Sequence, residues 1–402
     1  MALISRKIAE ALANGSMVRK MFEVGRELKA KHGAEKVFDY SLGNPDPPPP
    51  PAFHEKIREL LAQNRPGLHG YMPNAGWPEV REKVAAYLSQ KVPAGVPSFT
   101  PDNIVMTVGA AGALNAILKS LLDPGDEVIV LAPYFMEYAF YVDNHGGILK
   151  VAETDPSFRP DPEALLAAMG PRTRAVLVNS PNNPTGAIYT AAELRAVGEA
   201  LTLGSAKTEK PIFLISDEPY RKINFTGTEA PWIFAAYPYS VMATSFSKDL
   251  SIPGERLGYA AIHPGLESLE GAGLSAALTL ANRVLGSVSA PSLAQLAVCD
   301  LLEIEAGAKI YERRSALLSR ELRALGYTLT PAEGTFYLFP QSPIPDDLAF
   351  VDFLRESLVL AVPGAGFGRR GYFRLSLCLD EGAIERSLPG FARARKLALA
   401  RA

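Results

Sequence analysis

Only two cysteines occur among the 402 residues, Cys299 and Cys378, and neither belongs to a CxxC pair. Their scarcity excludes a disulfide framework and a cysteine zinc motif, and it makes a reducing cytoplasm the expected setting. Net charge is scarce as well, since 41 basic side chains stand against 43 acidic ones. With no strong field of one sign, neither nucleic acid nor an anionic membrane is expected as a partner. Long apolar runs are missing, so no membrane span is expected, and the start MALISRKIAEALANGS lacks the unbroken apolar core of a secretory signal. It reads as amphipathic helix. Nearly half of the residues are apolar, enough for two or three compact cores, and a small metabolite is the partner such a chain suits.

Residues 1–33 carry two helical patterns, Ile4, Ile8, Leu12 and then Val18, Phe22, Leu28, broken at Asn14 and Gly15. The run LGNPDPPPPP from Leu42 to Pro51 cannot lie inside a helix or a central strand, because proline lacks an amide donor and fixes φ. A domain boundary is expected there. From about residue 101, β-rich runs alternate with helical ones: NIVMTVG, EVIVLAP, AVLVNS and PIFLISD, then SVMATSF and LGYAAIH. Strands apolar on both faces and separated by helices predict an α/β unit with a parallel sheet covered on two sides. Beyond residue 287 a helical stretch from Ser292 to Leu325 precedes the strand-like YTLT, GTFYLFP, LVLAVPG and YFRLSLC, and a helix closes the chain. The expected organisation is an N-terminal arm (1–47) belonging to a small domain, a large domain (48–286) and a smaller α+β domain (287–402).

In an open parallel sheet, ligands bind beyond the carboxyl ends of the strands, so the residues there carry the functional signal. After NIVMTV come Gly109, Ala110 and Ala111, a small-residue turn opening a helix, whose amides suit a phosphate. After AVLVN comes SPNNPTG, a turn with two consecutive amides, Asn182 and Asn183. After PIFLIS come Asp217 and, three residues on, Tyr220; an acid in that place is often a helix cap. VMATSF leads into Ser245, Ser247, Lys248 and Arg256, hydroxyls and cations that form a plausible phosphate cradle beside an amine nucleophile. A turn, a cap or a solvated basic loop accounts for each element singly. None accounts for their convergence at the ends of one sheet.

Taken together, LGNPDP, HGYMPNAGWPEVR, SPNNPTG, SDEPY, SFSKDLSIPGERLGY, GTFY and YFRLSLC resemble, in order and spacing, the class I and II aminotransferases, fold-type I pyridoxal-phosphate enzymes typified by aspartate aminotransferase. The resemblance spans nearly the whole chain. It implies a large domain with a mainly parallel seven-stranded sheet between helices, plus a smaller α+β domain. It also implies pyridoxal 5′-phosphate as cofactor, an amino acid and a 2-oxo acid as substrates, no metal, and a homodimer with shared active sites. Lys248 would carry the cofactor as a Schiff base and act as general base, while Asp217 would pair with the pyridine nitrogen. Tyr220 and Asn183 would hydrogen-bond the phenolic oxygen. Gly109, Ala110, Ala111, Ser245, Ser247 and Arg256 would hold the phosphate, with Tyr71 supplied by the other subunit. Arg374, together with Gly43 and Asn183, would receive the substrate α-carboxylate.

Two departures stand out. Phe135 occupies the ring-stacking position where aspartate enzymes often have tryptophan, so stacking is kept without an indole donor. No second arginine for a side-chain carboxylate matches; Arg283 lies in the corresponding part of the chain, in different surroundings. Three rival readings are weaker. Ser245 to Lys248 also satisfies the S-x-x-K motif of serine acyltransferases, but the companion S-D-N and K-T-G motifs are missing. Gly366, Gly368 and Gly371 spell a dinucleotide fingerprint that leads into a strand-like segment instead of a helix. Carbon–sulfur β-lyases share the cofactor and nearly the same motifs, and base rate alone favours transamination over them.

Overall fold

In the run TRAVLVN, Ala175 and Leu177 face one apolar core while Val176 and Val178 face another, which is the burial expected of a strand covered on both sides. A computed structural model of the protein describes residues 3–13, 17–208, 210–266 and 273–401. Its strands are β1 (Phe38–Asp39), β2 (Ile104–Thr107), β3 (Glu127–Ala132), β4 (Ile148–Glu153), β5 (Thr173–Asn179) and β6 (Phe213–Asp217). Then follow β7 (Ser240–Ser245), β8 (Gly258–Ile262), β9 (Tyr337–Leu338), β10 (Val359–Leu360), β11 (Val362–Pro363) and β12 (Phe373–Ser376).

Seven of them make the main sheet in the order β2-β8-β7-β6-β5-β3-β4. Strand β8 runs antiparallel to β2 and β7, and every other pairing is parallel. The expected mainly parallel sheet between helices is thus present. Helix Gly109–Leu121 shows how the covering is encoded: Ala113, Leu114, Ile117, Leu118 and Leu121 recur at helical spacing and are buried against the sheet.

A third core gathers Met21 and Tyr40 from the N-terminal segment with Tyr311, Phe336, Phe350, Phe373 and Phe391 from the C-terminal part. Strand β1 pairs in parallel with β10, so the arm is tied to the C-terminal unit by backbone hydrogen bonds. Helices Arg6–Ala13 and Met17–His32 carry Ile8 and Leu12 of the first expected pattern and Leu28 of the second, while Ile4 precedes the first helix. The expected break at Asn14 and Gly15, and the side chains of Val18 and Phe22, lie outside what is described. The proline run ends at Pro51, the first residue of helix Pro51–Ala62, where a missing amide costs nothing.

Two expected elements differ. The stretch Ser292 to Leu325 is two helices, Ser292–Val298 and Ala308–Ala324, joined by the non-helical residues 299–307, the last of which, Gly307, caps the second helix at φ 97°, a conformation that favours glycine. The first of them packs into the core of the main sheet. YTLT is not a strand: Tyr327 turns its ring into the third core and donates its hydroxyl to the Phe391 carbonyl, so the apolar pattern there reflects burial without ladder pairing. Among the described residues no helix is long and apolar enough to cross a membrane. Nor do they contain a group of three or more side chains suited to a metal.

Candidate active site

Strands β5, β6 and β7 lie side by side, and their carboxyl ends carry Asn179, Asp217 and Ser245. The register aligns Asn179 with Asp217 and Asp217 with Ala243, so the polar residues that follow emerge on one edge. Asn179 fixes its neighbours: its Nδ2 donates to the Asp217 carbonyl at 2.7 Å, and its Oδ1 accepts from the Asn183 amide at 2.7 Å. The two amides of SPNNPTG divide their work. Asn182 Oδ1 accepts from Thr185 within the turn, whereas Asn183 Oδ1 accepts from Arg374 Nη1 at 3.1 Å.

Asp217 is buried. Its Oδ2 accepts a 2.6 Å hydrogen bond from Tyr138, and its Oδ1 has no hydrogen-bond partner among the described residues. Burial pushes the carboxyl up from 3.8 to about 7, and the Tyr138 bond offsets part of that rise. The adjacent Glu218 has a different task, accepting from Ser216 and, at 2.6 Å, from Arg221. Tyr220 is buried too, with its hydroxyl 3.3 Å from that of Tyr337, and burial holds its phenol well above the ordinary value.

Lys248 follows β7 with its amine buried, donating to the Gly43 carbonyl at 2.8 Å and lying 5.5 Å from the centre of the Phe336 ring. Burial pulls it down from 10.5 to about 8, and Arg256 and Arg374 act in the same direction. A neutral amine is therefore accessible near physiological pH. A side chain at Gly43 would collide with Tyr337 Oη, so that position is restricted to glycine by space. Arg374 is 2% exposed, donates through Nη2 to the Ser41 carbonyl at 2.7 Å, and keeps its Nε without a partner among the described residues.

At the other side of the site, Gly109 adopts φ 69° between β2 and its helix, a conformation that favours glycine. A Cβ there would stand 3.0 Å from Arg256 Nη2, and the bare α-carbon of Gly258 packs against Gly109, so β8 delivers Arg256 to the helix N-terminus. The first-turn amides, those of Ala110 and Ala111 included, lack carbonyl partners in their own helix. Ser245 and Ser247 are buried nearby in sequence, and Phe135 follows β3 half-buried, edge-on to Tyr138 at 5.6 Å. Tyr71 stands apart: it is 94% exposed. Arg283 is also exposed, at the last turn of helix Leu274–Val284.

Nothing in the sequence alone marks Tyr138, Tyr337 or Ser41 as site residues. Tyr138 lies three residues beyond Phe135, at the start of helix Glu137–Asp143, and carries no motif, while Tyr337 stands only within GTFY. Ser41 acts through its carbonyl, which no side-chain pattern reveals.

Residues 35–389 match the family described as aminotransferase class I and II. Aspartate/prephenate aminotransferase of Thermus thermophilus is 35% identical over 380 residues, covering 92% of this chain and 93% of that protein. Aspartate aminotransferase of Geobacillus stearothermophilus is 31% identical over 403 residues, with 95% and 96% coverage. Among solved structures, an amino transferase of Eubacterium rectale superposes with a TM-score of 0.92 at 34% identity, covering 99% of each chain. Aspartate aminotransferase of Thermus thermophilus with maleate superposes with a TM-score of 0.85 at 31% identity, covering 98% of this chain and all of that one.

Proposed function

The chain belongs to the class I and II aminotransferases, pyridoxal-phosphate enzymes that move an amino group from an amino acid to a 2-oxo acid, and we propose that Lys248, Asp217 and Arg374 carry that reaction here with an aspartate-like donor. The observation that carries the assignment is geometric: beyond adjacent strands lie a buried carboxylate held by Tyr138 with its second oxygen unpartnered and a buried amine held by the Gly43 carbonyl, and burial raises the acid and lowers the amine. Perturbed groups of this kind mark sites of proton transfer.

The residues fit the cofactor. Asp217 Oδ1 is a buried acceptor in want of a donor, which a protonated ring nitrogen supplies, and Lys248 is a desolvated amine suited to covalent attachment. Arg256, Ser245, Ser247 and the Gly109, Ala110 and Ala111 turn would hold the phosphate, and Phe135 would lie against the ring. Asn183 and Tyr220 would address the phenolic oxygen. Once bound, pyridoxal phosphate supplies a conjugated electron sink for negative charge at the amino-acid Cα.

The chain's own groups then have defined tasks. Arg374, fixed by Asn183 and the Ser41 carbonyl, offers its unpaired Nε to the substrate carboxylate. Lys248, whose amine burial lowers to about 8, takes the Cα proton and returns it. The Gly43 carbonyl holds that amine in place when it is not so engaged.

The donor rests on the relatives, several of which are named aspartate or aspartate/prephenate aminotransferases. The homodimer rests on surface chemistry. Tyr71 is almost wholly exposed, and Ile4, Ile8 and Leu12 form an apolar stripe on the arm that a second copy would cover, Tyr71 reaching its phosphate site. Incubation with aspartate and 2-oxoglutarate tests the function: stoichiometric glutamate and oxaloacetate are expected. Ammonia released without glutamate would mean lyase chemistry instead.

A further inference from the structure

Thr335 is fully buried at φ 63°, a conformation that a β-branched residue adopts at a cost. It is held there by its amide, which donates to the Ile223 carbonyl at 2.8 Å, and by its Oγ1, which accepts from the Tyr337 amide at 3.1 Å. The two residues that follow are both aromatic and both buried. Phe336 lies under the Lys248 amine, and the Tyr337 ring lies 4.5 Å from the Arg374 guanidinium carbon, whose second aromatic neighbour is Phe367 at 4.8 Å. Tyr337 Oη meets the Tyr220 hydroxyl at 3.3 Å and occupies the space that a side chain at Gly43 would need.

Among the described residues Arg374 has no carboxylate as a hydrogen-bond partner: Asn183 and Ser41 offer neutral oxygens, and Nε has no partner. A buried guanidinium with neutral partners needs another source of negative potential, and the faces of two rings provide it. An aromatic face stabilises the cation without taking up its free N–H, which a carboxylate in that place would do. We propose that Tyr337 is a positioning residue for substrate recognition, its ring fixing the plane of Arg374 so that the buried Nε is left unpaired for the incoming α-carboxylate. The inference rests on the assignment of Arg374 to that carboxylate.

Equilibrium binding of maleate to the cofactor-loaded protein, followed by calorimetry, tests it with three variants. Tyr337→Phe keeps the ring and is expected to bind within about twofold of wild type; Tyr337→Leu keeps much of the volume without a π face and is expected to weaken binding about tenfold. Thermal melting of the cofactor-free variants checks folding, and should Tyr337→Leu not fold, Tyr337→Met takes its place with the same expectation. Wild-type affinity in the non-aromatic variant overturns the proposal, as does equal weakening in Tyr337→Phe. Arg374→Ala separates the two levels. If it binds maleate as wild type does, the carboxylate assignment itself fails; if it loses binding while Tyr337→Leu does not, only the role of Tyr337 fails.

Discussion

Tyr138 donates its hydroxyl to Oδ2 of Asp217 at 2.6 Å, and the other carboxylate oxygen remains buried and unpartnered. One oxygen is thus consumed in fixing the carboxylate and one is kept for a ligand. Tyr138→Phe leaves both oxygens bare, and since the lost bond was lowering the Asp217 pKa, the acid moves higher still. The expected result is a kcat about tenfold lower with KM little changed and a stability loss of about 1–3 kcal/mol, read by steady-state kinetics and thermal melting.

Burial of Asp217 predicts a pH dependence of the cofactor-free fold. Its pKa is raised from 3.8 to about 7, so its contribution to stability is fully present below 3.8 and is lost as pH rises through 7. Asp217→Asn cannot ionise. The melting temperature of cofactor-free wild type should therefore fall relative to that variant between those two values and run parallel to it above them. A difference independent of pH means that the carboxyl is not desolvated as described.

Gly43→Ala places a methyl group against Tyr337 Oη and displaces the carbonyl that accepts from Lys248. Overpacking of this kind costs about 1–3 kcal/mol. Because the strain falls on Lys248 and Tyr337 together, kcat/KM should fall at least about tenfold while circular dichroism stays native. A variant of unchanged activity contradicts the contact.

Much of the site could be read from the chain because it sits where strands end. Asp217, Lys248 and Asn183 each follow an apolar run, and sheet topology brings such positions together wherever the loops lead. Tyr138 and Tyr337 escaped for a physical reason. Their value comes from the partner a hydroxyl or a ring reaches across the fold, 79 residues away for Tyr138 and Asp217, and nothing local marks that distance. The same holds for the fold: the buried strands announced themselves, while β4, half-exposed at the sheet edge, did not. YTLT looked like a strand because burial and pairing leave the same apolar pattern.

Tyr71 predicts complementation between subunits. Lys248→Ala and Tyr71→Phe, each impaired alone, should regain activity when co-refolded, since a hybrid dimer holds one site with both lesions and one with neither. At equal mixing about half of the dimers are hybrids, which sets the expected recovery at roughly a quarter of wild-type sites. An active monomer in sedimentation, or mixtures no better than the parents, contradicts the shared site.

The assignment of Lys248 as the residue that carries the cofactor is tested most directly by borohydride reduction of the loaded enzyme, followed by proteolysis and mass spectrometry of the labelled peptides. The expected result is a single pyridoxyl group, on Lys248 within the segment SFSKDLSIPGER, and no label in Lys248→Ala. A pyridoxyl group on another lysine of the wild-type protein would contradict the assignment.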